Sequence, residues 1–230
     1  MPAVRIVTAL LAALLAAAPP GGAAAPYEVR LGLERVVLDA PPGFSDTTEL
    51  SSPRLHELAD TITAPSNRVL LFALTDTDYR RFTGGDAMDL RRYMLAVTPK
   101  GLERERVSPA QFATFVADSL RSLGPAANPP DLRKHLDTRP EGQAVLLAEL
   151  RKEPTLVSVM QGSRLPPVET STFFESPRRY LLATTTLLLL RGKALQLSVY
   201  TGFDSPEDLD WLRYITERWI DDLLRLNRRR

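Results

Sequence analysis

The chain has 230 residues, a formal net charge of +1 at pH 7 and no cysteine, which allows one sizeable apolar core and excludes a disulfide framework, a thiol nucleophile and a cysteine-linked lipid anchor. The balanced overall charge supplies no global field favouring nucleic acid or anionic lipid. Stability must come from apolar burial and hydrogen bonds.

The first residues place Arg5 before an apolar stretch from Ile6 to Ala18, then Pro19-Pro20-Gly21-Gly22 and three alanines ending at Ala25. Charged, apolar and small-residue regions in that order are the plan of a secretory signal peptide. The expectation is a cleaved leader over 1–25, a single α+β domain over 26–230 and a periplasmic or secreted location.

Tyr27 to Asp39 reads as a first strand carrying Val29, Leu31, Leu33 and Val36-Val37-Leu38, closed by Pro41-Pro42-Gly43. Ser52-Pro53 opens a short helix through Leu55, Leu58 and Ala59, and Pro65 ends it. Arg68 to Thr75 and Arg92 to Thr98 read as strands, separated by a polar connection containing Gly84-Gly85-Asp86. Ser108, Pro109 and Gln111 form the start of a helix with a capping box, and Gly124-Pro125 stops it. Ala126 to Pro140 is a proline-rich loop with at most a helical turn around Leu132 to Leu136. Ala144 to Leu150 and Thr155 to Gln161 flank the polar connection Arg151-Lys152-Glu153-Pro154, a hairpin pattern.

The run ending at Leu187-Leu188-Leu189-Leu190 is interrupted by Arg191-Gly192-Lys193, far short of the about 20 apolar residues that a membrane-spanning helix needs. The β-branched Thr184, Thr185 and Thr186 disfavour a helix, and Leu195, Leu197 and Val199 alternate with Gln196, Ser198 and Tyr200. A strand pair follows, the first strand apolar on both faces and therefore central in its sheet. Ser205, Pro206 and Asp208 open a last helix with a stripe of Leu209, Leu212, Ile215, Trp219, Leu223 and Leu226. Short connections between most neighbouring strands predict an α+β fold: a largely antiparallel sheet of about six to seven strands covered by two main helices.

The segment "VVLDAPPGF" (Val36 to Phe44) and the closing "GKALQLSVYTGFDSPEDLDWL" (Gly192 to Leu212) resemble the PsbP-like group, in which a strand ends in a Pro-Gly-aromatic turn and a last hairpin runs into a capped helix. The resemblance implies a non-enzymatic binding or assembly role and names no partner. Gly162 to Arg179 and Asp76 to Asp89 have no counterpart in it.

Catalytic and metal motifs are sparse. His56-Glu57-Leu58-Ala59-Asp60 mimics half of a zinc-protease helix, with aspartate in place of the second histidine, and the remaining histidine, His135, lies in the proline-rich loop. Asp76-Thr77-Asp78 begins like a calcium loop but continues into Arg80-Arg81, so no metal site and no cofactor are expected. No Gly-x-Ser-x-Gly elbow occurs, and the neighbouring carboxylates Asp221 and Asp222 point apart on a helix. Partner binding is assigned to "ETSTFFESPRRY", through Phe173, Phe174, Arg178 and Arg179, because aromatic and arginine side chains dominate interface energetics. The functional expectation is an exported soluble accessory protein of the bacterial envelope, binding an envelope protein or a small apolar ligand. A hydrolase with a dispersed histidine site and a carrier of an apolar ligand are the alternatives.

Overall fold

The structure, a computed structural model, describes residues 26–48, 50, 52–166 and 179–228. The expected leader at 1–25 and three of the four expected binding residues, Phe173, Phe174 and Arg178, lie outside them. Seven strands form one antiparallel sheet in the order β3 (Phe44–Asp46), β4 (Asn67–Thr75), β5 (Arg92–Pro99), β9 (Lys193–Gly202), β8 (Tyr180–Leu190), β7 (Leu156–Arg164), β6 (Val145–Glu153). A separate hairpin pairs β1 (Tyr27–Leu31) with β2 (Glu34–Leu38). The expected α+β class and antiparallel sheet are therefore present, and β8 holds the central position that its two-sided apolar sequence requires.

Strand alternation assigns the helices to faces. Thr184 on β8 points at α5 (Glu207–Leu226), its hydroxyl 2.7 Å from that of Thr216, and Thr186 pairs with Ser158 of β7 at 2.7 Å. On this face Leu182, Leu188, Leu195, Leu197 and Val199 pack with Leu212, Ile215, Trp219, Ile220 and Leu223 of α5 and with the inward residues of the β1–β2 hairpin. The opposite face is covered in two parts. α1 (Pro53–Ile62) places Leu55, Leu58 and Ala59 over Phe72, Leu74 and Leu95, while α3 (Pro109–Leu120) places Phe112 over Leu187 and Ala194.

The buried Thr184–Thr216 pair gives a direct test of the α5 contact. Thr216→Val alone leaves the Thr184 hydroxyl without a partner and should cost about 1–3 kcal/mol, whereas Thr184→Val combined with Thr216→Val should be nearly neutral. Chemical denaturation of both variants checks this. An additive loss in the double variant would show that the two hydroxyls do not interact.

Several local expectations change, among them the connection after Leu150: Arg151, Lys152 and Glu153 belong to β6 and pair with β7. The first predicted strand is a hairpin: Gly32 sits at φ 58°, where a Cβ would meet the Arg104 carbonyl oxygen at 3.1 Å, so the chain reverses there and Leu33 ends on the tip. The polar connection after Thr75 contains a helix, α2 (Asp76–Gly84), with the Thr75 hydroxyl accepting from Asp78 N at 3.1 Å and Gly85 closing the other end at φ 85°. Ser205 does not cap the last helix with its side chain; the Asp208 carboxylate instead accepts from the backbone N–H of Asp204 at 2.9 Å and of Ser205 at 3.1 Å. By contrast the capping box of α3 forms in full, Gln111 N donating to Ser108 Oγ at 3.3 Å and Ser108 N to Gln111 Oε1 at 2.8 Å. The helical turn near Leu132 to Leu136 is α4 (Leu132–Asp137).

Candidate functional site

The ends of β4, β5 and β9 carry the chain into α2, out of the loop before Arg92 and into α5, so these segments converge above one end of the sheet. They enclose an open cleft of about 420 Å³ lined by Thr77, Asp78, Arg91, Arg92, Glu207 and Asp208, among others. Two buried carboxylates build its wall, each near the start of a helix, where the exposed N–H groups favour negative charge.

Asp78 is 3% exposed. Its carboxylate accepts from Asp89 N at 2.8 Å, from Leu90 N at 3.2 Å and from the Thr75 hydroxyl at 3.1 Å. These bonds hold the loop that follows α2 and keep buried Leu90 at φ 50°, a left-handed conformation that costs a non-glycine residue about 1–2 kcal/mol. The following arginines are thereby aimed at the second carboxylate.

Asp208 is 2% exposed and is the hub of the site. Besides the two backbone N–H groups it receives Arg91 Nη2 at 2.9 and 3.0 Å and Arg92 Nη2 at 3.1 Å. Burial by itself would push its carboxyl pKa up; the backbone donors of Asp204 and Ser205 and the two guanidinium groups outweigh that, and the net direction is down. Arg91 also reaches the Asp204 carboxylate at 2.7 Å. The Arg92 guanidinium lies 3.9 Å from the centre of the half-buried Trp211 ring, which in turn meets Phe44 at 6.2 Å. The result is a stacked pair in which Arg92 lines the cleft and Trp211 lies behind it, beside a rim that carries Thr77 and exposed Glu207.

The residues expected to act are elsewhere. Arg179 is described; its guanidinium pairs with Asp137 at 2.9 Å and lies 5.4 Å from the Tyr180 ring centre, at the same end of the sheet as the cleft but not among the residues that line it. His56 is exposed on α1, its Nδ1 2.8 Å from the Ser52 carbonyl oxygen. His135 is on α4, next to Leu136, which is buried in the α5 side of the core, whereas the neighbours of His56 belong to the opposite side. The two histidines thus do not meet. No cluster of three metal-ligating side chains occurs among the described residues. No motif brings the cleft residues together: Asp76-Thr77-Asp78 reads as the start of a calcium loop and Ser205 with Asp208 as a helix start, and neither pattern points to a shared site. A readable signal did exist: Thr75-Asp76-Thr77-Asp78 has the acidic, hydroxyl-bearing composition of a helix start.

No family model matches the chain, and no curated protein matches it. Among solved structures, the Saccharomyces cerevisiae Ran-binding protein Mog1p is similar at 11% identity and a TM-score of 0.38, over 88% of this chain and 94% of that one. A single-site mutant of protein Mog1 is similar at 12% identity and a TM-score of 0.37, over the same shares. The PsbP-like resemblance is corrected here: the similar solved chains are Mog1 and not members of that group. The expected role of an accessory protein of the bacterial envelope is corrected with it. No helix among the described residues is long and apolar enough to cross a membrane.

Proposed function

We propose that the protein is a docking module that receives a polypeptide partner in the cleft between α2 and α5. The observation that supports this reading is the way its wall is used: Asp78 and Asp208 are both consumed by hydrogen bonds within the chain, and what they organise is the Arg92–Trp211 pair. Arginine and tryptophan are enriched among side chains that carry interface energy, and a pair held in place before binding loses little conformational freedom when it is covered. The lining is too polar for an apolar ligand. Its exposed rim, with Thr77 and Glu207, suits the polar border of a protein interface.

A photo-reactive phenylalanine analogue at Thr77, with the same group at Thr114 on the exposed side of α3 as control, tests the reading. Adducts with one polypeptide from Thr77 and none from Thr114 are expected. Glu207→Lys, at an exposed position, should lower the yield about tenfold. Equal labelling from both positions, or a yield unaffected by Glu207→Lys, would refute the cleft as the docking site.

A further inference from the structure

At the opposite end of the strands from the cleft, the β1–β2 hairpin carries the most exposed large apolar side chain of the described residues, Leu33, at 92%. Its position is rigid. β2 packs on α5, and the side-chain amide of Asn227 closes the contact, accepting from Val37 N at 2.9 Å and donating to the Val37 carbonyl at 2.7 Å. The left-handed Gly32 presses the turn against the Arg104 backbone. That backbone is fixed in turn by Lys193, 3% exposed, whose ammonium donates to the carbonyl oxygens of Glu103 at 3.2 Å and Glu105 at 2.6 Å.

The consequence is a leucine standing out of a cationic border. Arg30, Gly32, Leu33, Glu103 and Arg104 line one shallow groove, with Arg106 behind them. Arg30 and Arg104 are exposed, and no ion pair of either is seen among the described residues; Arg30 donates only to the Gly32 carbonyl, at 3.2 Å. Arg191 occupies the adjoining β8–β9 turn, its guanidinium bonded to the carbonyls of Arg35 at 2.9 Å and Asn227 at 3.3 Å, so its charge faces no carboxylate there. Lys100 and Arg228 are exposed at the same end. Of the glutamates present, Glu103 pairs with Arg68 and Glu34 with Arg106 at 3.2 Å, while Glu105, exposed between Arg104 and Arg106, shows no ion pair among the described residues and is outnumbered by the cations around it. The near-zero net charge of the chain therefore conceals a cationic end.

We infer that this end is a peripheral membrane contact, in which Leu33 enters the headgroup layer of an anionic bilayer while Arg30, Arg104, Arg106 and Lys100 lie against the lipid phosphates. One apolar apex on a convex tip with cations spread around it matches a flat, fluid, negatively charged surface. It does not match a protein surface, which needs a packed central cluster to bind stably. The arginine stems extend the apolar contact and their guanidinium groups remain at the phosphate level.

The test uses the full chain and sedimentation with vesicles of phosphatidylcholine, with and without phosphatidylglycerol. Because the chain has no cysteine, Leu33→Cys carries a polarity-sensitive dye at a unique site, and Thr114→Cys serves as control. Expected are binding to anionic vesicles only, a blue shift from the position 33 dye and none from position 114, and release by about 0.5 M salt. Leu33→Ser should weaken binding about fivefold, and Arg30→Glu with Arg104→Glu about 100-fold or more, both with unchanged melting temperature. Absence of binding to anionic vesicles, equal binding to neutral ones, or indifference to both variants would overturn the inference. Binding of poly-glutamate in place of vesicles would overturn it in favour of an acidic polypeptide. The cleft is untouched by these changes, so failure here leaves the docking proposal standing.

Discussion

Asp208→Ala is expected to lower the melting temperature by about 10 °C. The carboxylate is buried and takes four donors, two of them arginine guanidinium groups. Removing it leaves Arg92 and two backbone N–H groups without that acceptor and Arg91 with Asp204 alone, a change of about 3–5 kcal/mol, and a chain of this size shifts about 2–4 °C per kcal/mol. The same group predicts a pH dependence. Its folded pKa lies below the unfolded value, near 3.9 for an aspartate. Its contribution is therefore complete above the unfolded pKa and is lost as pH falls through the folded one. Thermal melts of the parent from pH 6 to pH 2 should show that acid loss, and Asp208→Asn should flatten it. An unchanged acid limb in the variant would remove Asp208 from the account.

Trp219→Ala should cost a similar amount, about 3–5 kcal/mol. The indole is 1% exposed at the centre of the α5 stripe, and its Nε1 donates to the Asp39 carbonyl oxygen at 2.7 Å. That bond ties the last helix to the chain that leaves β2. Trp219→Phe keeps most of the apolar contact and loses the donor, so about 1–2 kcal/mol is expected. Tyr214→Ala, one turn away and 59% exposed, should stay within about 0.5 kcal/mol. Urea denaturation followed by circular dichroism separates the three. A large loss in Tyr214→Ala would mean that the exposed side of α5 also carries stability.

The docking cleft and the lipid-facing tip lie at the two ends of the same strands, and α5 spans the distance between them. Its first turn supplies Asp208 to the cleft, and the residue that closes its last turn, Asn227, braces the hairpin that carries Leu33. Variants at the two ends can thus be combined to ask whether a docked polypeptide and a lipid surface are held at once.

Some of this was open to reading along the chain. Ser108, Pro109 and Gln111 define the start of α3 because a capping box is closed by residues three apart. Alternation in Lys193 to Gly202 defines β9, and the two-sided apolar run before it defines a central β8, because a strand's faces are set by period two alone. The stripe from Leu212 to Leu223 defines the buried side of α5 in the same way. Local patterns misled where a turn broke a pattern: Leu33 continues the apolar rhythm of Val29 and Leu31, yet Gly32 reverses the chain and leaves it in solvent.

The site belongs to the other category. Arg91 and Asp208 are 117 residues apart, and no motif spans them. Asp208 looks like a capping residue and Arg91-Arg92 like an ordinary charged strand start. Capping, alternation and helical stripes act over a few residues, so the amino-acid order alone determines which segments are strands and helices and which sides of them are apolar. Only the packing of α2 and α5 at one end of the sheet brings the carboxylates to the arginines, and only the fixed hairpin gathers Arg30, Leu33 and Arg104 at the other. Charge pairing and exposure depend on distance in space, and that distance is set by the closing of the core.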